Sequence, residues 1–150
     1  MEIQIRRARR PDVEPIVRLL ADDQLGAARD SADDLAPYLK AFDVIDADPS
    51  QLLMVADLGG TVVGTLQLTI IPGLARKGAL RAQVEAVRVR ADQRGAGLGA
   101  RLMQWAIDES RRRGCALMQL TSDASRVDAH RFYLRLGFAA SHQGFKLKLS

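Results

Sequence analysis

The chain has 150 residues, 47% of them apolar and 27% charged, and its 22 basic and 18 acidic side chains leave a net charge of +4. This balance excludes a disordered or fibrous chain and suits one domain over residues 1–150. No apolar run nears the roughly 18 residues of a bilayer span, the opening Met1-Glu2-Ile3-Gln4-Ile5-Arg6 carries no apolar leader, and Cys115 stands alone, so the expectations are a cytoplasmic protein with no membrane contact, no internal disulfide and no cysteine-built metal site.

Glu2 to Ala8 predicts an opening strand. Pro11 suits a first helical turn, and Val13, Ile16, Val17 and Leu20 recur on one face after it. A second helix is expected from Ser31, whose hydroxyl would cap an amide near Asp34, with Leu35, Leu39, Phe42 and Ile45 as its apolar stripe. Two strands follow, Gln51 to Asp57 and Thr61 to Ile71, joined by Gly59-Gly60, a tight-hairpin signal. Pro72-Gly73 ends the second, Leu74 to Ala79 reads as a basic loop, and Arg81 to Val89 predicts a third strand. A helix over Gly97 to Arg113 buries Leu98, Leu102, Trp105 and Ala106 and stops at Gly114. A short strand, Ala116 to Thr121, leads to a last helix, Arg126 to Leu136. Phe138 to Ala140 and Gln143 to Leu149 are expected to close the sheet as a hairpin. The predicted order is βααβββαβαββ, an α/β fold with a mixed sheet flanked by helices.

The basic residues are interleaved with acids. The one dense run, Arg111-Arg112-Arg113, falls at a helix C-terminus, where cations complement the dipole. Aromatic residues are too scattered for a base-stacking platform, so nucleic acid is not expected as a partner.

Gln93-Arg94-Gly95-Ala96-Gly97-Leu98-Gly99-Ala100 carries the most information. Three glycines in five residues between a strand and a helix let the backbone turn sharply and approach a ligand. The free amides and dipole of the helix start favour an anion, a diphosphate above all, and Arg94 adds a positive charge. A Walker A loop would need Gly-Lys-Ser/Thr, which is absent. Gly95, Gly97 and Ala100 do satisfy the dinucleotide pattern G-x-G-x-x-A. However, Ala91 to Arg94 separate the glycines from their strand, and only about fifty residues follow Ala100, too few for a doubly wound sheet.

With its preceding strand from Val87, this loop resembles the acetyl-CoA signature R/Q-x-x-G-x-G/A of the GNAT acetyltransferases, with Arg94, Gly97 and Gly99 at the fixed positions. Ala129-His130-Arg131-Phe132-Tyr133-Leu134-Arg135-Leu136-Gly137-Phe138 is similar to the second signature of that family, A-x-x-F/L-Y-x-x-x-G-F. The likeness is strong from Val84 to Phe138 and weak in the first helices. It implies an acetyl-CoA-dependent N-acetyltransferase acting by direct attack in a ternary complex, on a small-molecule or peptide amine. Amides of Gly95, Ala96, Gly97, Leu98, Gly99 and Ala100 would hold the diphosphate, and the backbones of Val87 and Val89 the pantetheine arm. Where the family often has a pantetheine-binding asparagine this chain has Arg126, and either Arg126 or Ser125 would replace that contact. A GNAT-like module that binds acyl-CoA without catalysis is the alternative, and a homodimer stays open.

Acetyl transfer needs a neutral amine and a proton for the departing thiolate. An amine of pKa ~10 requires a base near neutral pH, and a phenol of similar pKa suits a thiol of ~8.5 as donor. Tyr133 is on periodicity a core side chain beside Ala129 and Phe132, and by the resemblance the general acid. Glu85, among Val84, Ala86 and Val87, is the candidate base. Alternation from Val87 puts the two on one face, and burial would favour proton uptake. The alternative for Glu85 is an ion pair with Arg81 or Arg88. The amide of Val89 is a candidate oxyanion donor. His130 and His142 read as surface residues, Cys115 as a small hydrophobe, and no metal is expected. For the acceptor, Asp22, Asp23 and Asp30 could attract a cation, and Arg76, Lys77 and Arg81 a carboxylate; the alternative, favoured for each residue singly, is solvated surface.

Overall fold

The computed structural model describes residues 2–150. They fall into two units, one up to Gln119 and one from Leu120 to Ser150.

The first unit is a five-stranded sheet in the order β1-β2-β3-β4-β5. Strand β1 (Ile3–Arg7) pairs antiparallel with β2 (Gln51–Leu58), β2 with β3 (Thr61–Ile71), and β3 with β4 (Leu80–Val89), while β4 and β5 (Cys115–Gln119) run parallel. Hairpins suffice for the β2-β3-β4 antiparallel pairs. The parallel step needs a crossover, supplied by helix α5 (Leu98–Arg112), which lies against β3, β4 and β5. The Gly59-Gly60 turn forms as predicted, both residues at positive φ, with the Gly60 amide donating to Asp57 Oδ1 at 2.7 Å.

Three helices connect β1 to β2. A 3-10 turn over Arg10–Asp12, holding Pro11, leads into α1 (Val13–Leu20), whose Val13, Ile16, Val17 and Leu19 are buried. The short α2 (Gln24–Arg29) was not predicted; Asp23 caps it by accepting the Gly26 amide at 2.6 Å. Helix α3 (Ala36–Ala47) starts five residues later than expected, because Ser31 and Asp34 close local turns onto the amides of Asp33 and Ala36, and Pro37 suits a first turn. Val13, Ile16, Val17, Leu19 and Phe42 pack with Val55 of β2 in one cluster. Arg6 ties the entrance together. It donates to both oxygens of Asp12 (2.7 and 3.0 Å) and to Asp57 Oδ2 (2.9 Å). Burial of Asp12 opposes ionisation most strongly, yet Arg6 and the Arg9 amide together hold its carboxyl below the usual range.

In the second unit, α6 (Val127–Arg135) is the one regular element. The expected closing hairpin is absent: residues 138–150 form neither helix nor strand. Phe145, Leu147 and Leu149 alternate with lysines as a strand would, but are 91%, 84% and 91% exposed. Alternation supplies the propensity for a strand; without a ladder partner and a surface to cover, it does not form one. The observed order is therefore βαααββαβαβα, with α4 the single turn Ala75–Gly78 between β3 and β4. No helix among the described residues is long and apolar enough to cross a membrane.

Candidate active site

From the end of β4 the chain is braced before it reaches the glycines. The guanidinium of Arg90 forks onto Asp92 at 2.6 and 2.9 Å, fixing a 3-10 turn over Ala91–Gln93. Arg94 donates from Nε to the Val89 carbonyl at 3.2 Å and pairs with Asp22 at 3.5 Å. Gly95 and Gly97 then take φ of 82° and 81°, in the left-handed region. A Cβ on either would meet no heavy atom within 4 Å. Helix α5 begins at Leu98, and Arg101 donates to the Gly97 carbonyl at 3.1 Å to start its ladder. The amides of Leu98, Gly99 and Ala100 precede that first helical bond. These are N–H groups without helical partners at the positive end of a 15-residue helix, a setting that favours an anion.

The pairing of β4 with β3 is itself irregular. Thr65 pairs with Arg88 and Gln67 with Glu85, so Leu66 alone faces both Ala86 and Val87. The extra residue is a β-bulge, and Ala86 carries φ 54° to make it. Two expectations change here. The two-residue alternation does not run unbroken from Glu85 to Val87, because the bulge lies between them. Glu85 is exposed rather than buried, and pairs with neither Arg81 nor Arg88 in an ion pair; its carboxylate accepts the Gln83 side-chain amide at 2.7 Å. Gln83 in turn accepts from Gln119 Nε2 at 3.0 Å. Val87 and Val89 are half-buried.

These amides belong to a larger pattern. The register aligns Gln51, Thr69, Gln83 and Gln119 across four adjacent strands. Gln51 Oε1 accepts from Gln67 Nε2 at 2.8 Å and from Thr69 Oγ1 at 2.9 Å. By alternation this polar row shares a face with Val55, which packs with α1 and α3, and is itself half-buried.

In the second unit Asp123 organises a turn. Its Oδ1 accepts the Ser125 amide at 2.9 Å and hydroxyl at 2.7 Å, and its carbonyl accepts the Arg126 amide at 2.9 Å. Arg126 is the residue before α6. Tyr133 is half-buried, edge-on to Phe132 at 5.2 Å and to Phe138 at 5.8 Å, an aromatic cluster that fixes its ring. His130 Nε2 lies 2.8 Å from the Asp123 carbonyl, and His142 Nδ1 lies 2.7 Å from Ser141 Oγ. Burial pushes the Cys115 thiol up, against the nearby charge of Arg113, as for a packed thiol. Among the described residues no group of three potential ligands could hold a metal ion.

The chain matches the model of the Acetyltransferase (GNAT) family over residues 13–138. It belongs to that family.

Among GNAT relatives, an aminoalkylphosphonate N-acetyltransferase of Salmonella typhimurium is 35% identical over 98 residues, 65% of this chain and 63% of that protein. A glucosamine 6-phosphate N-acetyltransferase of Trypanosoma brucei brucei is 36% identical over 90 residues, 60% of this chain and 59% of that protein. The matches thus span less than two thirds of each relative's length. A crystal structure of a transcriptional regulator from Bacillus halodurans C-125 has a TM-score of 0.95 at 43% identity, covering 99% of this chain and all of that one.

Three features of this GNAT chain escaped the sequence reading. Asp22, Asp23 and Asp30, candidates for attracting a cation, have structural partners: Asp22 pairs with Arg94, Asp23 caps α2, and Asp30 accepts the Tyr38 hydroxyl at 2.9 Å. The bulge left no sequence mark, since alanine replaces the glycine that positive φ favours. The polar row did leave one, glutamine or threonine at alternating positions within otherwise apolar strands.

Proposed function

We propose that this chain is an acetyl-CoA-dependent N-acetyltransferase acting on a primary amine, and that its two units work as one domain. The observation that carries the reading is the cradle of amides from Gly95 to Ala100 directly after the bulged strand, within the stretch that matches the family. These amides would hold the diphosphate of CoA, and Val87 and Val89 its pantetheine arm, with Ser125 or Arg126 as a further contact. Bound acetyl-CoA supplies the acetyl group as a thioester open to direct attack by the amine in a ternary complex. Glu85 takes the proton that the amine must lose, and its carboxylate is oriented for this by Gln83. Tyr133 returns a proton to the departing thiolate, and the Val89 amide donates to the oxyanion. The two curated relatives are named for amines bearing a phosphonate or a phosphate, which supports a small charged amine as acceptor.

The test is turnover of acetyl-CoA with an amine panel by wild type, Tyr133→Phe and Glu85→Gln. A general acid or base contributes about 10²–10⁴-fold, so each variant should lose rate on that scale while CoA affinity stays unchanged. Unaltered rates in both would remove these assignments.

The Bacillus halodurans structure, named for a regulator, favours a second reading in which the chain binds acyl-CoA without transferring it. Tight CoA binding with no product from any amine would favour that reading over catalysis.

A further inference from the structure

Glu85 is held by side chains at a point where the sheet gives it backbone support from one neighbour. Gln119 is the last residue of β5, and its pairing with Gln83 is the final step of the parallel ladder. Glu85 lies further along β4, where β3 pairs with it through Gln67 and the bulge at Ala86 follows at once. An exposed glutamate at such a place has several rotamers open to it. Two hydrogen bonds in series restrict them. Gln119 Nε2 donates to Gln83 Oε1 at 3.0 Å, and Gln83 Nε2 donates to Glu85 Oε1 at 2.7 Å.

The order of donors matters. A glutamine amide offers its carbonyl on one side and its NH2 on the other. With the carbonyl of Gln83 engaged by Gln119, its NH2 faces the carboxylate. Turned over, the same amide would set its oxygen against Glu85 and its NH2 against the donor of Gln119, exchanging two bonds for two repulsions. The neighbours on β3 are turned the other way. Thr69, opposite Gln83, and Gln67, opposite Glu85, donate across to Gln51 Oε1 on β2, at 2.9 and 2.8 Å. The donor that reaches Glu85 thus comes along β4 and is anchored from β5. Gln83 and Gln119 are both half-buried, and a bond partly shielded from water is the stronger for it.

We infer that Gln119 is a positioning residue for acetyl transfer: through the amide of Gln83 it fixes the direction in which the Glu85 carboxylate meets the amine. This rests on the reading of Glu85 as the base and extends it by one residue, on a different strand. In this role Gln119 need not touch the amine. It contributes the polarity of the Gln83 amide, and with it the aim of the carboxylate. Such aim is worth much to a rate, since a misplacement of about 1 Å in a reacting group can cost 100-fold.

Gln119→Glu is the discriminating variant, because glutamate has the shape of glutamine but accepts at both oxygens. The Gln83 amide would then turn to donate toward position 119 and present its carbonyl to Glu85. Gln119→Met removes the donor without adding charge, and decides the matter if Gln119→Glu folds poorly. Both are made in wild type and in Gln83→Met, which has no amide to turn, with Glu85→Gln alongside. The assay is acetyl-CoA turnover with whichever of 2-aminoethylphosphonate, glucosamine 6-phosphate and 1,4-diaminobutane the wild type acetylates fastest. Melting temperature and the NMR resonances of the Gln83 side-chain amide are followed in the same proteins. In Gln119→Glu, kcat should fall roughly 10- to 100-fold, and in Gln119→Met roughly 3- to 10-fold, with KM for acetyl-CoA unchanged and the Gln83 amide resonances shifted. In the Gln83→Met background, neither change at position 119 should cost more than about 2-fold further. An undiminished kcat in both Gln119 variants, whatever their Tm, overturns the inference and leaves Glu85 as the base if Glu85→Gln is impaired. A full loss from Gln119→Glu in the Gln83→Met background also overturns it, since the new charge would then act without the amide. If Glu85→Gln keeps the wild-type rate, or the wild type acetylates none of the three amines, the underlying reading falls and the inference with it.

Discussion

Replacing Gly97 by alanine and, separately, Gly114 by alanine isolates the diphosphate cradle from its cost in stability. Both glycines sit at φ 81°, and at neither would a Cβ come within 4 Å of another heavy atom. Each substitution therefore costs folding only the strain of an L-residue in the left-handed region, about 1–2 kcal/mol. In a chain of this size about 1 kcal/mol moves Tm by some 2–4 °C, so both variants should melt roughly 2–8 °C below wild type. Their ligand binding should differ. Gly97 opens α5, where a methyl group would enter the space a diphosphate needs to reach the amides. Gly114 ends the same helix, its amide donating to the Arg111 carbonyl at 3.0 Å. Losing one charge-assisted hydrogen bond is worth about 1.5–3 kcal/mol, a roughly 10- to 150-fold rise in Kd. Isothermal titration of CoA at fixed salt should show that rise for Gly97→Ala and wild-type affinity for Gly114→Ala. Equal affinities in the two variants would refute the assignment of the helix start as the anion site.

Other consequences are open to measurement. Ala86→Gly should raise thermal stability by about 1 kcal/mol, because glycine takes the bulge conformation without strain; a fall in Tm would show that the alanine methyl packs. Arg6→Met should destabilise the fold by about 3 kcal/mol in denaturant titrations, since it strands Asp12 and Asp57 with little exposure. The folded Asp12 carboxyl titrates below its unfolded value, so its contribution is complete above about pH 4 and is lost as pH falls through the lower folded value. Melting temperature should therefore drop more steeply below pH 4 in wild type than in Asp12→Asn.

The sheet and the cradle were legible because they depend on local signals. Gly59-Gly60 fixes a hairpin, Pro11 and Gly114 bound helices, and Gly95 and Gly97 fall between a strand and an apolar helical stripe. The short α2 and the late start of α3 were not, since both depend on which side chain wins the Asp23, Ser31 and Asp34 turns. The last thirteen residues show the converse. Their strand-like alternation is clear in the sequence, but alternation says which residues would share a face and nothing about whether a neighbour is there to pair. The environment of Glu85 was misread for a related reason. Alternation puts residues two apart on one face only in an unbroken ladder, and the positive φ of Ala86 leaves no mark in a sequence.

That one surplus residue sets sheet regularity against the aim of Glu85. Deleting Ala86 would heal the ladder opposite Leu66 and remove a strained backbone at once. The same excision would slide one half of β4 by a single position against the other, turning Glu85, Gln83 and Arg81 toward the packed side of the sheet or forcing Val87 and Val89 out of theirs. A better-knit strand would thus come with its carboxylate pointed the wrong way. The irregularity is the feature that lets one continuous strand serve two orientations.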